Sequence, residues 1–384
     1  MKACIIDPSL FTLPYDERVI EGISSNGTDC TLSGRHLRTG EACELPSTKF
    51  GFRFYAHTDR FRNKRFGAWL KSINHISDSI RLSRQIRTSA FSVVHFQWAP
   101  IPVFDARLIK SIRRSRPVAL TIHDTQPFLG AATSKLQAIG WRSLLSSPNR
   151  LIVHTQKSKM DLQALGISSD RISVIPHGII SLKADVLPEP KAAGEKRILL
   201  FGEIKPYKGV DILLKALAGL SIQSTQSWRL IVAGRPRMET APLVELAKQS
   251  RIPVDFRFRY LTNSELKSLI LSADICVFPY RNIDASGALM ATMELGPSIV
   301  ASSVGVFAET LVHGESALLF SAEDQYALAH CLKRLMENQS LRETLSQGAI
   351  SLAKSAPTWS SIGKLTTSLY EELINDSNAA PPKT

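Results

Sequence analysis

The stretch Arg197-Ile198-Leu199-Leu200-Phe201-Gly202-Glu203-Ile204-Lys205-Pro206-Tyr207-Lys208-Gly209-Val210-Asp211 runs from bulky apolar residues, through a polar turn, into a helical pattern that continues to Ala218. Side chains of a strand alternate between the two faces of a sheet. The unbroken apolar run from Ile198 to Phe201 therefore describes a strand covered on both sides, as in a parallel sheet packed between helices. Gly202 lets the backbone turn or approach a ligand closely. Open α/β sheets bind ligands beyond the carboxyl ends of their strands, and this end carries two ammonium groups, Lys205 and Lys208. A phosphate suits such a place, because cations and the free N–H groups of a helix N-terminus both attract it. A solvated loop with two surface lysines accounts for the same residues.

Outward from this unit the alternation repeats. Strands are expected at Ala3–Asp7, Val93–Gln97, Val118–His123, Arg150–His154, Ile172–Ile175, Arg229–Ala233, Val254–Phe258, Asp274–Phe278 and Ser298–Ala301. Helical patterns at Ser158–Leu165, Thr262–Ser272 and Asp324–Met336 lie between them. Alternating strands and helices give doubly wound parallel sheets. A second strand-to-helix turn, Ile275 to Leu289, carries Asp284, Ser286, Gly287 and Ala288. Its small residues can present N–H groups to an anion, and Asp284 can accept from hydroxyls. An ordinary turn with Asp284 or Ser286 capping the helix fits equally well.

At 384 residues the chain is long enough for two domains. With 44% apolar and 21% charged residues it has material for ordinary cores. Pro188, Pro190 and Gly194 mark residues 181–196 as a linker. The expected plan is an N-terminal, acceptor-side Rossmann-like domain over 1–180, that linker, a C-terminal domain over 197–355, a helix over 356–376 that crosses back to the N-terminal domain and a frayed tail over 377–384. Five scattered cysteines without a Cys-x-x-Cys pair argue against a disulfide scaffold or zinc ribbon. No apolar run is long enough to span a membrane, and Asp7 comes too early for a secretory signal. A cytoplasmic protein is expected. The formal charge of +13 calls for an anionic partner. It is concentrated between Thr58 and Arg116, where 13 Lys and Arg face three Asp.

Several stretches, taken in order, resemble glycosyltransferase family 4. They are Val153-His154-Thr155, Val174-Ile175-Pro176-His177-Gly178, Phe201 to Asp211, Leu230 to Gly234, Ser272-Ala273-Asp274, Ser286-Gly287, Ala301 to Gly305 and Val312-His313-Gly314-Glu315. The resemblance is good over about 150–340 and weaker before it. It implies a GT-B fold of two Rossmann-like domains facing across a cleft, with a nucleoside-diphosphate sugar held by the second. No Asp-x-Asp motif occurs, so the lysines, and no metal or other cofactor, are expected to meet the diphosphate charge. Carried over by position, the donor contacts are Gly202, Lys205, Lys208, Gly209, Tyr280, Asp284, Ser286, Gly287, Ala288 and Leu289. Lys208 resembles the lysine that neutralises the diphosphate. The family usually has arginine where this chain has Glu203, and Lys205 takes that place. Asp284 fits the first of the family's two glutamates. The second falls near Ala291 or Thr292, with Glu294 a few positions late.

In the first half, His123 follows an apolar run and resembles the family's His-Asp at the interdomain cleft, a group for a sugar hydroxyl or a proton. The loop Pro8–Asp16 offers Tyr15 and Asp16 as acceptor or phosphate contacts in place of a Gly-Gly turn. From Phe61 to Ile86, apolar residues recur at helical spacing among arginines and lysines. Such a helix either lies on an anionic membrane surface or turns a basic face to water over a core.

The function expected is transfer of a sugar from a nucleoside-diphosphate donor to a glycan or polyprenyl-linked acceptor, with retention. The setting is exopolysaccharide or cell-surface polysaccharide synthesis at the inner face of the plasma membrane. His123, Lys205 and Lys208 would carry the chemistry. A nucleotide-sugar epimerase and a non-catalytic polyanion- or membrane-binding protein are the alternatives. Nucleic acid is not expected as a partner, since no zinc finger or RNA-binding aromatic motif accompanies the charge.

Overall fold

A computed structural model describes residues 1–38, 41, 43–56, 64–125, 139–182, 184–220 and 227–379. The chain forms two compact units, Met1–Gly178 with Pro357–Thr384, and Ile179–Ala356.

The first unit is built on a parallel sheet in the order β3-β2-β1-β4-β5-β6-β7. Its strands are β1 (Lys2–Asp7), β2 (Asp29–Arg35), β3 (Phe50–Phe54), β4 (Val93–Phe96), β5 (Val118–Thr121), β6 (Arg150–Val153) and β7 (Ile172–Val174). The second has β8 (Lys196–Phe201), β9 (Trp228–Ala233), β10 (Val254–Arg257), β11 (Ile275–Phe278), β12 (Ser298–Ser302) and β13 (Leu318–Phe320). Their order is β10-β9-β8-β11-β12-β13, again with every pair parallel.

The apolar run of β8 is divided between two cores. Ile198 and Leu200 join one cluster with Leu230, Val232, Ile275 and Val277. Leu199 and Phe201 join the other with Ile231, Cys276, Phe278 and Ile299. Each such side chain gains about 1.5–3 kcal/mol by leaving water. That is why a strand with no polar face is stable here.

Three strands lie outside the sequence expectations. β2 alternates Thr31 and Ser33 with apolar residues, and β3 is a partly buried edge strand. β13 is only three residues long. None has the long apolar run that marks a central strand.

Residues 181–196 differ from the expected linker. They belong to the second unit, where Glu189 accepts from Arg257 at 2.6 and 2.8 Å and Lys191 meets Asp274 at 2.8 Å. The prolines shape an extended strap that ion pairs fasten down. The C-terminal helix runs from Trp359 to Ala379, so residues 377–379 are helical; residues 380–384 of the expected tail lie outside the described residues. This helix packs on the helix Leu13–Ser25 with glycine against glycine. A Cβ at Gly363 would lie 2.0 Å from the carbonyl carbon of Gly22.

The basic stretch forms the helix Lys64–Thr88; residues 61–63 lie outside the described residues. Leu82 and Ile86 enter the first unit's core, while Ile73 and Ile80 are 45% and 43% exposed. Among the described residues, no helix is long and apolar enough to cross a membrane.

Candidate functional site

In the second unit, β8 lies between β9 and β11, and the strand order reverses there. A crevice opens beyond the carboxyl ends of the strands at such a reversal. The turn after β8 and the turn after β11 meet at this point, and Lys208 joins them. Its Nζ donates to the Phe201 carbonyl at 3.4 Å and to the Tyr280 hydroxyl. The same Nζ sits 4.4 Å from the Tyr280 ring centre and 5.9 Å from that of Tyr207. Burial, helped by the charge of Lys205, pulls the Lys208 ammonium down to about 7.

The backbone brings these groups together. Gly209 adopts φ +66°, and a Cβ there would lie 1.9 Å from the Pro279 carbonyl oxygen. Only glycine lets the two turns come this close. Gly209 also begins the helix Val210–Ala218, whose first intrahelical bond is Leu213 N–H to Gly209 C=O at 3.1 Å. The N–H groups of Val210 and Ile212 precede that bond, as the first N–H groups of a helix do, and suit an anion, whereas the Asp211 N–H goes to its own carboxylate. Arg281 fastens the arrangement. It reaches the Pro206 carbonyl at 2.6 Å, Asp211 at 2.8 and 3.1 Å and Glu323 at 2.9 Å, while its backbone N–H bonds the Tyr207 carbonyl at 2.7 Å. Burial opposes ionisation of Asp211, but Arg281 outweighs it and holds that carboxyl below its ordinary range.

The other expected donor contacts have definite places. Asp284 and Ser286 are buried at the start of the helix Gly287–Leu295. Ser286 accepts from the Leu289 N–H at 3.2 Å, so its hydroxyl caps the helix. Gly287 is exposed, Ala288 half-buried and Leu289 in the core. Ala291 and Thr292 are buried, whereas Glu294 is exposed and accepts from Ser181 at 2.9 Å. Lys205 is already paired with Glu203 at 2.9 Å, and Arg237 meets the same carboxylate at 2.6 and 2.8 Å.

In the first unit, His123, His154 and His177 follow the adjacent strands β5, β6 and β7 and pack around Tyr15. His154 Nδ1 lies 2.9 Å from the Ile175 carbonyl and must carry the hydrogen. His154 Nε2 then accepts from His123 Nδ1 at 3.2 Å. His123 Nε2 is left as an acceptor, 3.3 Å from Gln97 Oε1, while the buried Gln97 Nε2 has no partner among the described residues. Turning the Gln97 amide over satisfies both atoms. Burial pulls His154 to about 3, His177 to about 4 and His123 well below its ordinary value. His123 is thus neutral at pH 7, with both nitrogens engaged within its own unit. Asp16 is buried beside Asp7 and hydrogen-bonded to Thr12; burial and the neighbouring acid raise it well above the carboxylate range.

Sequence reading passed over Arg237, Arg281 and Gln97. Arg237 had a detectable signal, since Gly234-Arg235-Pro236-Arg237 follows a predicted strand just as Lys205 does.

Comparison with known proteins supplies the remaining information. The family model for glycosyl transferases group 1 matches residues 185–351, and that for glycosyltransferase family 4 matches residues 40–180. Among curated proteins, a D-inositol 3-phosphate glycosyltransferase of Corynebacterium glutamicum (strain R) is 27% identical over 266 residues, 64% of this chain and 62% of that protein. The chain spans about three-fifths of the length of the curated relatives it matches. Among solved structures, sucrose-phosphate synthase from Thermosynechococcus elongatus superposes with a TM-score of 0.76 at 16% identity, covering 98% of this chain and 100% of that one. Anabaena HepE, solved with UDP and glucose, gives 0.68 at 15% identity, covering 97% and 100%. These likenesses show a GT-B fold.

Proposed function

The chain belongs to the group 1 glycosyltransferases of family 4, and from that premise we propose that it transfers a sugar from a nucleoside-diphosphate donor to a hydroxyl of an acceptor. The observation that carries this reading is Lys208, buried beyond the carboxyl ends of β8 and β11 and just before the N-terminus of the helix Val210–Ala218. Breaking the bond between the anomeric carbon and the diphosphate puts negative charge on the departing phosphate. A preorganised ammonium group and aligned N–H groups stabilise that charge as it develops. The complex of a related fold with UDP and glucose supports a uridine donor.

Retention of anomeric configuration is part of the proposal, on family resemblance. The relatives' names carry inositol 3-phosphate and sucrose-phosphate. We take the acceptor to be an anionic sugar or polyol, which also suits the basic segment between Thr58 and Arg116. The exopolysaccharide and membrane settings, expected from charge and family resemblance together, have no counterpart in those two names. The test is release of UDP from UDP-glucose in the presence of phosphorylated sugar and inositol acceptors. Lys208→Ala should lower turnover by about a hundredfold or more, the scale of losing one such charge-stabilising donor. Unchanged turnover in that variant would remove the basis of the reading.

A further inference from the structure

Glu203 stands where the family places a cation, and its surroundings explain how the site tolerates it. The segment after β9 is fastened alongside the turn after β8. Ile204 N–H bonds the Arg235 carbonyl at 2.9 Å, and Arg237 N–H bonds the Ile204 carbonyl at 2.9 Å. Gly234 lies so close that a Cβ there would be 1.9 Å from the Gly202 carbonyl oxygen. This places Arg237 at the turn. Its Nε and one terminal nitrogen meet Glu203 Oε1 at 2.8 and 2.6 Å, while Lys205 Nζ meets Oε2 at 2.9 Å. Lys208 Nζ lies on the other side of the turn, 3.0 Å from where a Cβ of Gly202 would be.

We propose that Arg237 is a third cation of the donor-phosphate site and that Glu203 is its internal counter-ion, holding Arg237 and Lys205 until a diphosphate takes the carboxylate's place. The proposal rests on the donor reading above. One carboxylate is set among three cations, so the cluster has positive charge to spare. Each carboxylate oxygen is met by a different cation, an arrangement a phosphate reproduces with more charge. Arginine's planar fork matches phosphate geometry. The side chains involved are 33–45% exposed, and pairs that water reaches are weak, so a diphosphate can displace Glu203 readily. Half-burial works against the Glu203 carboxylate, but Lys205 and Arg237 outweigh it and keep it ionised at neutral pH.

The test is calorimetric titration of the full chain with UDP and, separately, with inorganic pyrophosphate, at two salt concentrations. Wild type is compared with Glu203→Gln, Arg237→Met and Lys208→Met. Glu203→Gln should tighten both ligands about three- to tenfold, because a like charge a few ångströms from the phosphate is removed. Arg237→Met should weaken both about tenfold and flatten the salt dependence. Weaker or unchanged binding by Glu203→Gln would overturn the proposal and make Glu203 a scaffold for the cations. Unchanged binding by Arg237→Met would overturn it too. If wild type binds neither ligand, or Lys208→Met binds like wild type, the donor reading itself fails. If only Lys208→Met responds, the donor reading stands and this inference falls.

Discussion

Burying an ammonium group costs free energy unless partners compensate, and Lys208 is buried among two tyrosine rings, a phenol oxygen and a carbonyl. This cost is the physical reason for its depressed pKa of about 7. A bound diphosphate supplies the missing charge, so binding takes up a proton at pH values where the free ammonium has lost one. The sign follows from linkage. Below about 7 Lys208 is already charged and affinity for UDP is level; above it, affinity falls by up to about tenfold per pH unit until the bound lysine itself titrates. Calorimetry from pH 6 to 9 reads this directly, and a flat profile would contradict it. Lys208 was legible because its position beyond a strand end follows from local pattern alone. Arg237 and Gln97 were not, because their partners lie 34 and 26 residues away in sequence. The departure at Glu203 was visible, but the side chains that neutralise it were not.

At the scale of elements, the site is made by two turns that must touch. Gly209 permits the contact with Pro279, and Arg281 locks it by joining Pro206, Asp211 and Glu323. These ion pairs are about one-third or more exposed, so they add little to global stability. Replacing Arg281 by Met should cost at most about 1 kcal/mol in unfolding experiments. It should raise the KM for the donor about tenfold, because the helix N-terminus and Lys208 lose their fixed relation. A large fall in Tm with unchanged KM would show that Arg281 is a stability residue and not a positioning one. The central strands were readable from their double-sided apolar runs, and β2, β3 and β13 were missed because edge position, polar alternation or shortness removes that signal. The turns themselves were readable from local pattern, whereas the choice between Asp284 and Ser286 as helix cap needed coordinates. The Ser286 hydroxyl goes to the Leu289 N–H.

At the scale of the whole molecule, repeated strand-helix alternation gave two doubly wound units, and each has the strand order that creates a crevice beside its first strand. The join between units falls between Gly178 and Ile179, just before the expected linker 181–196. Residues around Pro188 and Pro190 are instead tied down through Glu189 and Lys191, and long-range ion pairs leave no local signature. The C-terminal helix, expected to cross back, does group with the first unit, where Gly363 packs against Gly22. The account as a whole depends on where a diphosphate comes to rest, and a crystal structure of the full chain with UDP measures that. The expected density places phosphate oxygens within hydrogen-bond distance of Lys208 Nζ and of the N–H groups that open the helix Val210–Ala218. UDP bound elsewhere, with Lys208 still closed onto Tyr280, would contradict it.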